Sequence, residues 1–232
     1  NFRAIGEGSN KALDLDRYDY HYQHLILWDA EQDALAGAYR LGIGPEIYEL
    51  YGIRGFYLFS LFKVKKKARP SIAQSLDMGR AFIDAEHQQK PLPLFLLWNG
   101  IKEVMRQYPG LKYIVGCASI SNSFSAYSKN LMAAYLLKNF GDAFLAESIR
   151  PRKKFKVKLN RAARSYILES SAQDLNHFDR KIDEIEPGPL RFPVLIKKYL
   201  QQKALIVCFN VDPLFNNSID GFMYLKREHL EL

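Results

Sequence analysis

The stretch "SLDMGRAFI", Ser75–Ile83, decides how this chain is read. It is a mostly apolar run with an acid, Asp77, three residues before an arginine, Arg80. On a helix, residues i and i+3 share a face, and the two charges make an ordinary surface ion pair. On a strand, successive side chains alternate, and the two charges point to opposite faces. The wider segment "RPSIAQSLDMGRAFI" (69–83) is mixed, and its last part is strand-like.

Upstream, "HLILWD" and "LAGAYRLG" are apolar runs joined by "AEQDA", which predicts a β-hairpin. "PEIYELYG" (45–52) reads as a short helical turn and the aromatic "FYLFSLF" (56–62) as a strand. Residues 1–20 read as loop with one helical turn. Downstream, 91–109 predicts a helix, with Pro91 or Pro93 in its first turn and Pro109-Gly110 as its stop. "KYIVGCASIS" (112–121) predicts a strand, and 123–140 a helix begun by Ser-rich capping and followed by Gly141. Residues 145–190 read as an irregular basic insert, with "DEIEPGPLRFP" as a linker. "PVLIKKYLQQK" predicts a helix, "ALIVCFNVD" a buried strand and "DGFMYLKRE" a last strand. Antiparallel pieces at the front and alternating strands and helices in the middle imply a mixed α/β sheet.

The chain has 232 residues, 48% of them hydrophobic, enough for one large domain with a substantial core. "PLPLFLLW" is about half the length of a membrane-spanning helix. Cys117 and Cys208 sit in apolar runs and read as buried free thiols of a reducing cytoplasm. Net charge is +8, concentrated in "FKVKKKAR" (62–69) and "RPRKKFKVKLNRAAR" (150–164), which favours an acidic partner or an anionic surface. Nucleic acid is not expected, because no helix-turn-helix, zinc or RNA-binding signature accompanies the charge.

The pieces "LDLDRYDYHYQHLILWD", "GAYRLG", "SLF", "SLDMGRAFI", "QKPLPLFLLWNGI", "SISNSFSAYS" and "FNVDPLFNNSIDG" carry a resemblance in their order and spacing. The chain resembles the acyl-carrier-protein-dependent branch of the GNAT superfamily. The relatives it suggests are bacterial N-acyl amino acid synthases and the hemolysin-like ornithine- and glycine-lipid N-acyltransferases. The resemblance implies a GNAT-like, mostly antiparallel sheet with helices on both faces and a β-bulge in the central strand. It also implies a single domain over 1–232 that lacks the usual first strand, as a fragment would. "SLDMGRAFI" becomes the fourth strand, with Gly79 suited to the bulge and Asp77 and Arg80 then sharing one face.

The implied reaction moves a fatty acyl group from a thioester to an amine, in an early step of aminolipid or N-acyl amino acid synthesis. Asp77 is the candidate for orienting the amine or relaying its proton, set against a structural ion pair with Arg80. Arg80 beside it is expected to depress its pKa and make it a weak base. Arg80 equally suits the carboxylate of an amino-acid acceptor. Where GNAT proteins hold coenzyme A, the Gly-rich signature is missing and "QQKPLP" stands instead. That fits the single phosphate of acyl carrier protein's phosphopantetheine arm, held by Lys90 and the amides of Leu92, Leu94 and Phe95. The alternative is a Pro-started helix with nothing bound. Apolar residues of "FYLFSLF" and "LPLFLLW" either line an acyl tunnel or are plain core. No tightly bound cofactor is expected. Arg3, Asp16 and His24 are candidates for acceptor binding. Asp14, Asp16, Asp19, His21 and His24 match no standard metal-ligand spacing, so no metal is expected. The protein is expected in the cytoplasm, with peripheral contact at the inner membrane face.

Two other readings stand beside this one. His24 and Asp29 spell H-x-x-x-x-D, the motif of lysophospholipid O-acyltransferases. Five residues along a strand, however, set them about 17 Å apart on opposite faces. A catalytically inactive carrier-protein-binding module is the second, since Asp replaces the usual Glu at 77.

Overall fold

The computed structural model describes residues 15–88, 90–186 and 190–230. In chain order its elements are β1 (Gln23–Asp29), β2 (Ala34–Ile43), α1 (Gly44–Tyr51), α2 (Leu58–Leu61), β3 (Phe62–Val64) and α3 (Arg69–Ala73). Then come β4 (Ser75–Ile83), α4 (Pro91–Gln107), β5 (Tyr113–Ile120), α5 (Ala126–Phe140), α6 (Ala143–Ala146) and β6 (Ile149–Pro151). The last are α7 (Arg161–Glu169), α8 (Leu175–Ile185), α9 (Val194–Gln201), β7 (Leu205–Asp212) and β8 (Ser218–Lys226). The result is a mixed α/β fold with mostly antiparallel pairing.

The chain divides into two compact units. Of the described residues, the first comprises those within 15–60, 67–116 and 226–230. Its strand order is β1-β2-β4-β5. β1 is the edge strand, and its outward residues stay exposed, whereas nearly all of β2 is buried between two neighbours. The hairpin turn is tied by Asp29 Oδ1, which accepts the N–H groups of Glu31 and Gln32, and Asp33 takes a left-handed φ of 51°. α4 packs on β1, β2 and β4. Pro91 opens it, and Arg227 Nη1 donates to the carbonyls of Met105, Tyr108 and Leu111 around its C-terminal end. Carbonyls at and just past a helix C-terminus welcome such a cation.

The second unit comprises residues 61–66 and 117–225. It holds the end of β5 beside β8 and β7, and a small antiparallel β3–β6 ribbon. Its core includes Tyr135 stacked on Phe178, with centroids 3.8 Å apart, and Phe62 edge-on to Phe222 at 5.2 Å. Ser125 caps α5 by accepting the Ser128 N–H, and Glu186 in turn accepts from the Ser125 N–H and hydroxyl.

Two expectations are corrected. "FYLFSLF" is not a strand: a turn leads into the helical turn α2, and only Phe62 enters β3. Its apolar side chains are buried at Phe56, Leu58, Leu61 and Phe62, a spacing that follows a winding chain rather than alternation. The described residues of 145–190 are not all irregular either. Charge hides the 3.6-residue period there, yet Ala163 with Ile167 and Phe178 with Ile182 form buried i, i+4 stripes of α7 and α8. Cys117 and Cys208 are half-buried thiols outside any disulfide among the described residues, and burial pushes the Cys208 thiol up to about 12.

Candidate active site

The site is built in the first unit on the β2–β4 pair. The register sets Gly42 opposite Asp77 and Arg40 opposite Gly79. Residues directly opposite share a face of the sheet, as do residues two apart on one strand. Arg40, Gly42, Asp77 and Gly79 therefore lie on one face. Neither glycine is there for backbone freedom. A Cβ on Gly42 would lie 2.5 Å from the ring of Tyr22, so its absence lets that ring reach Asp77. A Cβ on Gly79 would meet nothing within 4 Å, so the space over Gly79 is open, two residues along the strand from Asp77.

Asp77 is 1% exposed. Its Oδ2 accepts the Tyr22 hydroxyl at 2.7 Å, and the Tyr22 oxygen accepts the Tyr57 N–H at 2.8 Å. Burial pushes the Asp77 carboxyl up to about 7. The Tyr22 hydroxyl, the backbone N–H groups of Leu58 and Tyr57 and the Arg40 charge pull the other way and lose. Burial and the Asp77 charge likewise raise Tyr22 well above the usual phenol range. The expectation of a depressed Asp77 is thus overturned, because desolvation outweighs the neighbouring cation.

The cation that acts on Asp77 is Arg40, also 1% exposed. Its Nη1 donates to Asp16 Oδ1 and Asp19 Oδ1, both at 2.9 Å. Its Nε and Nη2 are buried without a hydrogen-bond partner. The guanidinium carbon instead lies 5.3 Å from the ring centroids of Tyr22 and Tyr57 and 5.7 Å from that of Tyr18. Three ring faces take the place of those partners. Burial opposes ionised Asp19, but the Asp16 N–H and Arg40 outweigh it and hold its carboxyl below the usual range. Asp16 bridges the cluster outward, since its Oδ2 accepts Arg80 Nη2 at 3.1 Å.

β4 does contain a bulge, but not at Gly79. Gly79 pairs in register with Arg40, and the register slips between there and the Phe82–Ala38 pair. Arg80, with φ 47°, takes up the extra residue. A non-glycine residue in the left-handed region is strained, and its ion pair with Asp16 helps hold it there. The parallel ladder between β4 and β5 ends at Met78 and Gly116, just before this bulge.

The other sequence candidates fall in three places. His24 is at the rim, 3.4 Å from Asp19. Lys90 stands at the N-cap position of α4 without a side-chain capping hydrogen bond, and Leu92, Leu94 and Phe95 follow in its first turns, with Leu92 and Phe95 each 59% exposed. Arg3, like Asp14, lies outside the described residues. The H-x-x-x-x-D pair does not meet. His24 and Asp29 occupy the two ends of β1, and Asp29 bonds His87 Nε2 at 2.9 Å instead. Among the described residues there is no group of three or more His, Cys, Asp or Glu placed to hold a metal ion. No helix of the described residues is long and apolar enough to cross a membrane.

The sequence reading does not single out Arg40 or Tyr22, and it names Asp19 only within the acidic loop set aside as a metal site. Arg40 had a signal: it is the one charge inside the apolar run "LAGAYRLG". Tyr22 had none, since "YDYHYQH" offers several tyrosines and only the fold chooses between them.

Residues 1–98 match the family model of the acetyltransferase (GNAT) domain. The whole cluster from Asp16 to Arg80 falls within the residues matched by that family model. The chain is 28% identical to a glycine N(alpha)-acyltransferase of Phocaeicola vulgatus over 154 residues, 61% of this chain and 47% of that protein. It is 26% identical to one of Bacteroides thetaiotaomicron over 152 residues, 61% of this chain and 45% of that protein. It thus spans about half the length of these relatives. Among solved structures, a CoA-dependent acyl-homoserine lactone synthase bound to SAM and isopentyl-CoA aligns over 99% of this chain and 71% of its own, at 9% identity and a TM-score of 0.45. A coenzyme A complex of aminoglycoside 6'-N-acetyltransferase aligns over 89% of this chain and 73% of its own, at 11% identity and a TM-score of 0.39.

Proposed function

We propose that the protein is an N-acyltransferase that moves a fatty acyl group from a thioester to the amine of glycine or a similar amino acid. The observation that carries this reading is Asp77, a buried carboxyl raised to about 7 on the face where Gly79 leaves open space. An amino acid carries an ammonium group at neutral pH and must lose a proton before it attacks. A group titrating near the working pH is the efficient acceptor for that proton. Nitrogen then bonds to the acyl carbon, the C–S bond breaks, and the thiol leaves with a proton. The oxyanion formed on the way meets backbone N–H groups of β4 beyond Met78. Much of the acceleration comes from holding donor and acceptor together.

In this reading Arg80 and Asp16 form the acceptor's rim, with Arg80 meeting the carboxylate. Arg3 and His24 complete the acceptor side. The donor is acyl carrier protein, its phosphopantetheine phosphate at Lys90 and the amides of Leu92, Leu94 and Phe95. The exposed apolar side chains at the start of α4 and the absence of a Gly-rich loop there support it. The names of the relatives support glycine as acceptor.

The test supplies acyl carrier protein and coenzyme A thioesters separately, each with glycine, ornithine or lysophospholipid, and identifies products by mass spectrometry. N-acylglycine from the carrier-protein donor is the expected result. Product from lysophospholipid alone would overturn the reading.

A further inference from the structure

The β3–β6 ribbon of the second unit brings together the two basic runs, which are far apart in the sequence. Lys63 pairs directly with Arg150 across the ribbon. Like charges directly opposite on paired strands repel and destabilise the pair. Lys65 and Lys66 extend one end, and Arg152, Lys153 and Lys154 extend the other, all exposed. No Asp or Glu occurs between residues 50 and 76 or between 148 and 168. Among the described residues, Lys63, Lys65, Lys66, Arg150, Lys153 and Lys154 form no ion pair with a carboxylate. The run continues as Lys154-Phe155-Lys156-Val157-Lys158, alternating exposed cations with one half-buried and one exposed apolar side chain.

We propose that this ribbon docks the protein on an anionic lipid surface. Most of its cations are lysines, which act as mobile point charges. A folded acidic partner fixes its carboxylates in place and is better matched by arginine forks. A bilayer offers laterally mobile phosphates that adapt to a spread-out pattern, and its interface also accepts an apolar side chain between lysines. The repulsion between Lys63 and Arg150 is relieved when anions screen it. This inference does not rest on the acyl-transfer reading, because its readout is binding and either can fail alone.

The test is co-sedimentation with vesicles of phosphatidylglycerol and phosphatidylcholine, against vesicles of phosphatidylcholine alone. The protein is expected to bind the anionic vesicles and to release as salt rises. Lys63→Gln, Lys65→Gln and Lys154→Gln together are expected to weaken partitioning roughly 100-fold. The same charge change made by Lys112→Gln, Arg180→Gln and Lys198→Gln leaves it within a few-fold of the parent. The ribbon variant keeps or raises its melting temperature, since a repulsion has been removed, so its loss of binding is not a loss of fold. Equal binding to neutral vesicles, or full retention of binding by the ribbon variant, would overturn the proposal. So would a ribbon variant that keeps vesicle binding but loses saturable binding to an acidic acyl carrier protein.

Discussion

At the scale of single residues, the site turns on one carboxyl and what surrounds it. Asp77→Asn keeps the shape and the hydrogen bond to Tyr22 but removes the proton acceptor. It is expected to lower kcat/KM by about 10²–10⁴-fold while the protein still folds. Its effect on stability has a definite sign. The unfolded Asp77 ionises near 4 and the folded one near 7, so the native state holds a proton that the unfolded state has lost between those values. Stability from this group is therefore full at low pH and falls as pH rises through that window. Urea titrations across it are expected to show the decline in the parent and a flatter profile in the Asn variant. Activity moves oppositely, rising as pH passes about 7, where Asp77 becomes an acceptor. Gly42→Ala tests the same group from the other strand. A methyl there collides with the buried Tyr22 ring, so the ring shifts and the Tyr22–Asp77 bond lengthens. Activity is expected to drop at least tenfold with a lower melting temperature, whereas Gly79→Ala, which meets open space, leaves the melting temperature in place.

At the scale of elements, β4 is the strand that its sequence predicts, but its bulge lies at Arg80 rather than at Gly79. Glycine is the usual occupant of a left-handed position, so Gly79 was the natural choice. The strand places Arg80 there instead, where its guanidinium donates to Asp16, on a loop far away in sequence. Arg80→Ala is expected to raise the KM for the amino acid about 10–100-fold, the loss of a charge-assisted pair. Arg80→Lys recovers only part of it, because an ammonium cannot make a fork. If Arg80 were merely structural, kcat and KM would move with stability and Lys would restore both. Helices α7 and α8 were missed for a different reason. Their buried stripes are only two residues wide, set in segments whose charge resembles a loop.

At the scale of the whole molecule, a net charge of +8 favours an acidic donor. If acyl carrier protein is that donor, kcat/KM for its thioester is expected to fall steeply with added salt. The value for a coenzyme A thioester, a smaller partner without an extended acidic surface, should fall less. A salt profile measured on both donors decides between steering by the whole surface and recognition of the phosphopantetheine arm alone.

By itself the sequence determined the elements whose signals are local. The hairpin, the capped helices, the apolar strands β5, β7 and β8 and the charge of the two basic runs follow from periodicity, turn residues and caps over a few neighbours. The candidate acid and arginine of "SLDMGRAFI" were visible too, as charges in an apolar run. Only the tertiary structure decided what those residues are. Asp77 was expected to be an acid weakened by a neighbouring cation, yet its surroundings take away more water than Arg40 returns in charge. The two basic runs become one surface only through the pairing of β3 with β6. Both outcomes depend on burial and on contacts between distant segments, which a linear pattern does not contain.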